Sequence, residues 1–479
     1  IFYNNKTKRS HVWDFRERAP NKAKADMFLK ADGSVDPMKS IDGPLAVAVP
    51  GLVRGLWDIH QRHGKLPWAT VVGPAIRLAQ EGFPVYPHLV DAIKDREAVL
   101  KLDPEATRTF FMADGSVPHV GYLLIQPELA NTLRIIAAKG ANGFYSGPVA
   151  HRIVSSITKQ GGVISASDLS GYQTKTRQAV EGTYKGYKII SMPPPSSGGT
   201  HVIEILNLLE HQNLKQYGPQ SAESVHRIGT AMQIAFADRA KYMGDPDFGS
   251  IPVKKLISKE YASSMQKYFT DKAMPSSTFP LENLPDGPTH TTHFTLADKE
   301  QNIVVSTQTI NGWFGSGMMA QGTGIVLNNE MDDFAQKVGA SNLFGAIGGD
   351  KNLVAARKRP LSSMSPTIVL KDDHPVLALG TPSGTKIISC VMQTALNVME
   401  FKMPLYEAVA ATRVHHQWQP EELRVESPFL DGAVMRDLEK RGHKVIRKAL
   451  GCQIQAIQRV GDSWLGVSDP RGEGLAIGE

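Results

Sequence analysis

The sequence contains little cysteine: only Cys390 and Cys452 occur among 479 residues, and there is no CxxC pair. This scarcity excludes a fold held together by several disulfides and permits one disulfide or none. The cysteine count therefore leaves the cellular compartment open.

Long hydrophobic runs are also missing. None approaches the roughly 18 residues of a membrane-spanning helix, and the longest are interrupted by Pro, Gly or charged residues. We therefore expect no membrane span. A large surplus of one charge is missing too, because 53 Lys and Arg face 47 Asp and Glu. This balance argues against a nucleic-acid partner and weakly favours a small anionic substrate.

The composition that is present, with 41% hydrophobic and 21% charged residues, is typical of a globular protein with one large core or two ordinary ones. The chain opens on the strand-like Ile1-Phe2-Tyr3, without an initiator Met or the charged and apolar regions of a signal peptide. We interpret this start as a trimmed one, compatible with an export signal upstream.

The first half of the chain changes character near Gly161-Gly162. Residues 45–125 alternate short helical patterns with Gly and Pro, as in the amphipathic run from Pro74 to Gln80 that stops at Gly82. Later, Tyr184 to Ser191 is typical of a strand. The Pro- and Gly-rich turn that follows it leads into an apolar helix over Val202 to Leu209.

The best linker candidate is the Pro-, Ser- and Gly-rich segment from Met274 to His290, which we expect to be exposed and mobile. It is followed by two period-two patterns that predict a hairpin of strands over Thr291 to Ala297 and Asn302 to Asn311. Further strands and helices alternate to the end of the chain and predict an α/β or α+β layered core: strands Thr367 to Lys371 and Gln453 to Val460, and helices Ile387 to Met399 and Tyr406 to Arg413.

His290-Thr291-Thr292-His293 is ambiguous when considered alone. The two His residues suggest a metal site, but residues three apart in a strand point to opposite faces and no third ligand lies nearby in sequence. A plain strand start is the better interpretation by composition.

The segment Gly380 to Lys386 resembles a phosphate-binding loop only faintly, because its spacing does not match GxxxxGK[ST]. Nucleotide binding is therefore rejected. A tight turn before a helix remains, and its backbone N–H groups suit an anion or a developing oxyanion. An ordinary turn between a strand and a helix explains the pattern equally well.

Two charged segments also have two interpretations. Asn328 to Phe334 carries three carboxylates, which form either a solvated loop or a site for a substrate ammonium. Asp14 to Pro20 supplies Arg residues that belong either to the surface or to a carboxylate-binding site. His415-His416 is interpreted as a packed structural pair.

Taken together, these segments resemble the γ-glutamyltransferase family along nearly the whole chain. The resemblance rests on several spaced motifs: Asp14-Phe15-Arg16-Glu17, Met192 to Gly199, Phe236-Ala237-Asp238-Arg239, Thr291-Thr292-His293, Asn328 to Phe334, Arg359 to Pro366, and Ser468-Asp469-Pro470-Arg471. It implies a four-layer αββα sandwich of the N-terminal-nucleophile hydrolase type. It also implies a precursor that cleaves itself into a large subunit, residues 1–290, and a small one, residues 291–479.

The resemblance further implies roles for individual residues. Thr291 is similar to the family's nucleophile and Thr309 to the neighbour that assists it, while Ser383 and Gly384 match the oxyanion hole. The remaining matches are positions that hold the α-amino and α-carboxylate groups of a γ-glutamyl donor: Arg16, Asn311, Glu330, Asp333, Ser362 and Ser363.

The expected chemistry is γ-glutamyl hydrolysis and transfer from glutathione and other γ-glutamyl amides. A free α-amine on Thr291 has an ordinary pKa of roughly 7.7 to 8 and could serve as the base for its own hydroxyl. Water, an amino acid or a short peptide would accept the γ-glutamyl group, with no metal or cofactor. The resemblance also implies a periplasmic or secreted enzyme.

The sequence departs from the family pattern at three places. We expect this sequence to begin after the family's N-terminal stretch. Ser383 stands where a Gly-Gly pair is usual, which removes conformational freedom from the oxyanion turn. Phe344 stands where bacterial relatives often carry Tyr, in a lid loop within Val338 to Asp350.

Three other functions compete with this interpretation. Two are specialised members of the same fold, a cephalosporin (glutaryl) acylase and a poly-γ-glutamate-processing enzyme. The third is a non-catalytic solute-binding protein. A full lid argues against a polymer substrate, and Arg16 and Asp333 argue for a donor with both α-charges. The presence of Thr291, Thr309 and the pair Ser362-Ser363 together argues against a binding protein.

Overall fold

The computed structural model of the protein describes residues 1–278 and 291–478. Its strands, numbered in chain order, are β1 Phe2–Asn4, β2 Arg9–Asp14, β3 Phe83–Pro84, β4 Leu123–Leu124, β5 Lys175–Arg177, β6 Val180–Tyr184, β7 Tyr187–Ser191, β8 Thr292–Ala297, β9 Ile303–Gln308, β10 Met319–Ala320, β11 Ile325–Val326, β12 Thr367–Lys371, β13 His374–Gly380, β14 Val414–His415, β15 Leu423–Val425, β16 Val445–Arg447, β17 Gln455–Val460 and β18 Ser463–Ser468.

The helices come mainly from the first half of the chain. They are α1 Met38–Ile41, α2 Leu52–His63, α3 Trp68–Glu81, α4 Pro87–Asp95, α5 Glu97–Leu100, α6 Pro104–Phe110, α7 Pro127–Lys139, α8 Asn142–Tyr145, α9 Gly147–Thr158, α10 Ala166–Ser170, α11 Gly198–Glu210, α12 Ala222–Tyr242, α13 Val253–Leu256, α14 Lys259–Ser264, α15 Lys386–Met399, α16 Leu405–Ala410 and α17 Gly432–Lys440. Short 3₁₀ turns include Glu330–Asp333.

Two large sheets form the centre of the molecule. The five-stranded sheet has the order β5-β2-β1-β9-β8, and the six-stranded sheet has the order β18-β17-β13-β12-β7-β6. Each sheet combines strands that precede Thr291 with strands that follow it. The segments before and after Thr291 therefore share both sheets.

The sheets face each other across an apolar core. Along β9 the residues Ile303, Val305 and Thr307 are buried, and those between them are partly exposed, as expected for a strand with one face inward. The core between the sheets consists of Tyr3, Ile190, Ile303, Val305, Ile368, Leu370 and Ala378.

Helices cover the outer faces. The long helices α11, α12 and α15 form the largest core with the six-stranded sheet, to which they contribute Ile205, Ile234 and Val391 among others. On the other side, α2 contacts β2, while Phe294 and Leu296 of β8 stay partly exposed. The layers follow the predicted αββα order.

Several predicted elements are confirmed. β12 has the predicted bounds, β8 and β9 pair as the predicted antiparallel hairpin, and α3 ends before Gly82, although it begins at Trp68 rather than Pro74. The cysteines form one disulfide, Cys390–Cys452. Among the described residues, no helix combines the length and apolar character that crossing a membrane requires.

One prediction about local structure is wrong. Tyr184 to Ser191 is not one strand, because Lys185 and Gly186 adopt φ values of 43° and 81° and form the tight turn between β6 and β7. In the described beginning of the predicted linker, residues 274–278, Pro275, Ser277 and Thr278 are exposed, whereas Met274 and Ser276 are buried. Ser276 donates its hydroxyl to the Trp418 carbonyl at 2.6 Å and accepts from the indole N–H at 3.0 Å. The rest of the predicted linker, 279–290, lies outside the described residues.

Candidate active site

The hairpin of β8 and β9 places Thr291 beside Thr309. Thr292 pairs with Gln308 in the antiparallel register, so the residues one step beyond, Thr291 and Thr309, meet at the same end of the hairpin. Thr309 also accepts a hydrogen bond from the backbone N–H of Asn311 at 2.8 Å. Asn311 has a φ of 77° and donates its side-chain amide to the Asn329 carbonyl, which turns the chain toward the acidic segment.

A small cavity opens at Thr291 and collects the predicted site residues. All of them except Ser383 line it, and Ser383 precedes the lining residue Gly384. The lining also includes residues that were not predicted to bind: Arg239, Met364 and Ile387, besides the lid residue Phe344.

One end of the cavity is charged. The guanidinium of the buried Arg16 forms ion pairs with Glu330 and Asp333, and Glu17 lies 3.7 Å away. Arg16 also donates to the backbone carbonyls of Pro360 at 3.2 Å and Leu361 at 3.3 Å. This arrangement shows that the Arg of the Asp14 to Pro20 segment is not a surface residue.

Burial dominates the electrostatics of these carboxyl groups. It raises the pKa of Glu330 well above its ordinary value and raises that of Asp333, in both cases against the attraction of Arg16. It also raises the pKa of Glu17 to about 6. Within the described part of the chain, the Oε2 atom of Glu330 is buried without a hydrogen-bond partner. An ammonium group in the cavity would supply the missing donor and favour the charged carboxylates.

The acidic turn Glu330–Asp333 is held rigidly in place. The side chain of Asn328 accepts from the backbone N–H of Ala48 at 3.0 Å, donates to the Ala48 carbonyl at 2.9 Å and accepts from the Glu330 N–H. Asp332 accepts from the hydroxyl of Ser40 at 2.6 Å, and burial raises its pKa to about 7. The solvated-loop interpretation of this segment is therefore wrong.

Ser362 and Ser363 lie against the Pro-rich turn that the sequence analysis singled out. Ser196 forms a parallel bridge with Ser362, and the hydroxyl of Ser197 donates to the Ser362 carbonyl at 2.8 Å. Ser197 and Ser363 both accept from the guanidinium of Arg239, each at 3.0 Å. The turn after β7 thus positions the two serines at the cavity.

The other end of the cavity is formed by the turn before α15. Ser383 adopts a φ of 114°, a conformation that favours glycine, and Gly384 follows with a φ of 53°. The Ser383 hydroxyl donates to the carbonyl of Leu450, and the nearby Cys452 is joined to Cys390 of α15. These contacts hold the turn in its unusual conformation, although Ser383 replaces the first residue of the usual Gly-Gly pair.

The lid segment lies over the same cavity. Phe344 lines it, and its neighbours are tied to the acidic turn: the amide of Asn342 donates to Asp333 at 3.0 Å and the backbone N–H of Leu343 donates to Asp332 at 2.7 Å. Gln417 donates to the Gly345 carbonyl at 3.0 Å. The lid is therefore latched without a tyrosine hydroxyl.

The histidines considered as ligands have structural partners. His293 is buried and its ring contacts the hydroxyl of Thr307 at 2.8 Å. Burial lowers its pKa to about 3. His415 contacts Ser389 at 2.7 Å and Gln417 at 2.9 Å, which agrees with a packed residue. No group of three or more His, Cys, Asp or Glu suited to a metal ion occurs in residues 1–278 and 291–478.

Arg239 is the site residue that sequence reasoning missed. Its motif, Phe236 to Arg239, was recognised but given no role, because the residue lies inside the long helix α12 and nothing in the local sequence indicates which face meets the cavity. A second, larger cavity of about 810 Å³ adjoins the first and shares Arg16, Thr309, Ser362 and Met364 with it.

Thr291 directly precedes β8, an edge strand of the five-stranded sheet, and the layered αββα arrangement is the fold of the N-terminal-nucleophile hydrolases. Its fold neighbours include a solved cephalosporin acylase from Bacillus halodurans, with a TM-score of 0.83 and 27% identity, over 98% of this chain and 84% of that one.

The family model described as gamma-glutamyltranspeptidase matches residues 1–479, and the chain belongs to this family. The chain is 42% identical to the glutathione hydrolase proenzyme of Escherichia coli (strain K12), over 96% of this chain and 79% of the relative. It is 36% identical to the acylase ACY 1 proenzyme of Pseudomonas sp. (strain V22), over 91% of this chain and 76% of the relative.

Proposed function

We propose that this protein is a γ-glutamyl hydrolase and transferase that acts on glutathione and other γ-glutamyl amides, with Thr291 as its nucleophile after cleavage of the bond to His290. The observation that carries the proposal is that Thr291 shares one cavity with a buried set of opposite charges. His290 lies outside the described residues.

The charged end suits the α-carbon of a γ-glutamyl donor, which bears an ammonium and a carboxylate. The ammonium would be received by Glu330, Asp333 and Asn311, and the carboxylate by Arg16 with Ser362 and Ser363. Opposite charges in a buried site hold such a zwitterion by charge-assisted hydrogen bonds. The γ-carbonyl then extends toward Thr291, at the other end of the cavity.

The reaction follows from these positions. The Thr291 α-amine takes the hydroxyl proton while the hydroxyl oxygen bonds to the γ-carbonyl carbon. The turn at Ser383 and Gly384 presents backbone N–H groups to the oxyanion. Collapse of the tetrahedral intermediate breaks the C–N bond, and the amine proton passes to the leaving group. Water, an amino acid or a short peptide then attacks the γ-glutamyl ester and regenerates Thr291.

Processing would use the same hydroxyl. It attacks the carbonyl of His290, the peptide bond rearranges to an ester, and water hydrolyses this ester to release the Thr291 amine. The products are a large subunit, residues 1–290, and a small subunit, residues 291–479. Both central sheets combine strands from the two pieces, so the subunits remain assembled.

A glutaryl acylase is the second candidate, and the acylase relatives favour it. A glutaryl group has no α-amine, however, and would leave the unpartnered oxygen of Glu330 without a donor. A γ-glutamyl donor accounts for the acidic turn better. The latched lid argues against a poly-γ-glutamate chain, and the assembled cavity argues against a protein that only binds solutes.

The disulfide supports an oxidising location. Cys390–Cys452 is buried in the fold, and structural disulfides are typical of secreted and periplasmic proteins. We accordingly place the enzyme in the periplasm or outside the cell.

Thr291→Ala provides the test of this function. The variant should remain one chain and show no γ-glutamyl activity, because both processing and catalysis need the hydroxyl. Gel electrophoresis, N-terminal sequencing and a glutathione assay measure these outcomes. The matched control is Thr292→Ala, which alters the exposed neighbouring residue and should still be cleaved before position 291. Cleavage of Thr291→Ala, or a wild-type small subunit that begins at Thr292, would contradict the assignment.

A further inference from the structure

The turn before α15 lies just beyond the end of a pair of strands. β13 ends at Gly380, which pairs with Gln455, the first residue of β17. Beyond this pair the two segments separate. One continues into the turn at Ser383 and Gly384, and the other is the support segment, residues 450–454, which contains neither helix nor strand. The hydrogen bonds between β13 and β17 therefore stop before the turn and do not fix its conformation.

The support segment contacts the turn through hydrogen bonds. The backbone N–H of Gln453 donates to the hydroxyl of Thr381 at 2.8 Å, just before the turn. The hydroxyl of Ser383, within the turn, donates to the carbonyl of Leu450. Single hydrogen bonds of this kind contribute little net free energy to a folded protein. A turn with an unfavourable backbone conformation needs a stronger connection.

The disulfide between Cys390 and Cys452 is such a connection. Cys452 belongs to the support segment, and Cys390 lies in the second turn of α15, the helix that begins at Lys386. The two cysteines are 0% and 1% exposed, and neither lines either of the two cavities. The covalent bond therefore joins the support segment to the helix that starts directly after the oxyanion turn.

The backbone of Ser383 explains why the turn needs this support. Its φ of 114° is a conformation that residues with a side chain rarely adopt. Such a conformation persists only where the surrounding structure imposes it. If the turn relaxed, its N–H groups would rotate away from the position where the negative charge develops, and donors stabilise an oxyanion only when they point at that position.

The nucleophile is positioned against the same pair of strands. A Cβ atom added at Gly380 would lie 2.2 Å from the ring of His293, so the end of β13 packs closely against β8. The hydroxyl of Thr295 in β8 donates to the carbonyl of Gln455 at 3.2 Å. β8 follows Thr291 directly. The distance between the nucleophile and the oxyanion turn thus depends on how firmly the turn is held to the ends of β13 and β17.

We propose that the Cys390–Cys452 disulfide is a positioning pair for the reaction, because it holds the oxyanion turn in the conformation that Ser383 would otherwise leave. This inference rests on the proposed function and adds to it a covalent support for the oxyanion hole. The cysteines touch no substrate and act through the turn and the first residues of α15.

A purely structural role for the disulfide makes a different prediction. A disulfide across 62 positions stabilises a protein mainly by restricting its unfolded chain. Its loss would then lower stability, and the molecules that remain folded would react at the normal rate. The kcat of the folded, cleaved enzyme separates the two roles, because both formation and hydrolysis of the γ-glutamyl ester pass through an oxyanion.

The experiment removes both cysteines, as Cys390→Ala with Cys452→Ala, from the wild type and from Ser383→Gly. The substrate is γ-glutamyl anilide, and kcat is expressed per cleaved chain. In the wild-type background kcat should fall about tenfold, as for partial misplacement of oxyanion donors, while KM stays within about twofold. In the Ser383→Gly background the further loss of kcat should shrink to about threefold or less, because glycine adopts this φ freely.

Leu396→Ala is the matched control. Leu396 is a fully buried residue of the same helix, ten positions beyond its start. The substitution leaves a cavity that lowers stability, and it should leave kcat unchanged. Chemical denaturation checks that this variant and the cysteine variant are both destabilised. Thiol titration of the denatured wild type should find no free thiol.

Each outcome has a distinct meaning. A wild-type kcat in the cleaved cysteine variant, or a loss that is at least as large in the Ser383→Gly background, would overturn the inference and leave the proposed function intact. Two free thiols in fully active wild type would overturn it as well. A processed wild type that does not hydrolyse γ-glutamyl anilide would overturn the proposed function itself.

A second measurement decides the matter if the cysteine variant does not fold. Wild type prepared under reducing conditions, with two titratable thiols, has the same sequence as the disulfide form. Its kcat should be about tenfold lower than that of the disulfide form, for the reason given above. Equal kcat values for the two preparations would refute the positioning role.

Discussion

Two buried ion-pair networks in this protein have similar chemistry and different surroundings. The cavity network consists of Arg16, Glu17, Glu330 and Asp333. The C-terminal network consists of Arg413, Glu426, Asp469 and Arg471, with Arg413 and Asp469 in contact at 2.8 Å. The C-terminal network lines neither of the two cavities described above.

The difference lies in charge balance. The C-terminal network pairs two guanidinium groups with two carboxylates, and Arg413 additionally donates to the Cys452 carbonyl. The cavity network sets three carboxylates against Arg16 and leaves an oxygen of Glu330 without a partner in the described chain. A balanced buried network holds a fold together, whereas an unbalanced one that opens on a cavity is prepared for a charged ligand.

The largest expected effect is a loss of kcat/KM when one carboxylate of the cavity network is removed. Asp333→Ala should lower kcat/KM for γ-glutamyl anilide by roughly a hundred- to several thousandfold, because losing one partner of a buried charge pair costs about 3 to 5 kcal/mol. A glutaryl anilide, which has no α-ammonium, should lose much less. Measuring both donors on wild type and variant decides the matter, and equal losses would refute an ammonium site at Asp333.

Breaking the C-terminal network should lower the stability of the protein and leave its catalytic activity unchanged. Arg413→Met leaves Glu426 and Asp469 buried without their main cation and should lower the free energy of unfolding by about 3 kcal/mol. The kcat/KM of the folded enzyme should stay near the wild-type value. Chemical denaturation and active-site titration measure the two quantities. A large loss of kcat/KM at unchanged stability would remove the distinction between the networks.

Substitutions at Ser383 test whether its hydrogen bond to the Leu450 carbonyl holds the turn before α15 in its active conformation. Ser383→Ala keeps a Cβ at a φ of 114° but loses the hydrogen bond to the Leu450 carbonyl. It should lower kcat by about fivefold, equivalent to about 1 kcal/mol. Ser383→Gly loses the same bond but adopts this φ freely, so it should retain more activity. An alanine variant as active as the glycine variant would show that the hydroxyl does not hold the turn.

The smallest effect is expected at the lid, where contacts other than a tyrosine hydroxyl already latch the loop. Phe344→Tyr adds a hydroxyl to the cavity that Asn311 also lines. If the two side chains form a hydrogen bond, the products should shift toward transfer by about two- to threefold, as for one weak hydrogen bond. The ratio of transfer to hydrolysis at a fixed acceptor concentration measures this. An unchanged ratio would show that the lid contacts of Asn342 and Leu343 already suffice.

The sequence was most informative where local pattern determines structure. β12 and the hairpin of β8 and β9 follow from short alternating runs, and the motifs locate the residues around Thr291. The pattern failed at Lys185 and Gly186, where a two-residue turn interrupts an otherwise continuous strand signal.

Long-range contacts remained beyond prediction from the sequence. The disulfide joins residues that are 62 positions apart. The partners of Arg239 lie 42 and 124 positions away from it, and Arg16 meets Glu330 across 314 positions. Such contacts depend on how whole layers of the fold pack together, and the hydrophobic pattern of a short segment does not predict them. For the same reason the sequence could not show that Arg16 is already engaged by the acidic turn.

Because both sheets combine strands from before and after Thr291, a cut before Thr291 would change how the protein recovers from unfolding. β1 pairs with β9, and β7 pairs with β12, across the position where the chain would be cut. Before the cut, folding is a unimolecular event in which the covalent link keeps these strands at high effective concentration. After it, recovery from unfolding requires two separate polypeptides to find each other, so it becomes dependent on concentration. An uncut chain would therefore refold as one molecule, whereas a cleaved enzyme would depend on its two chains staying together.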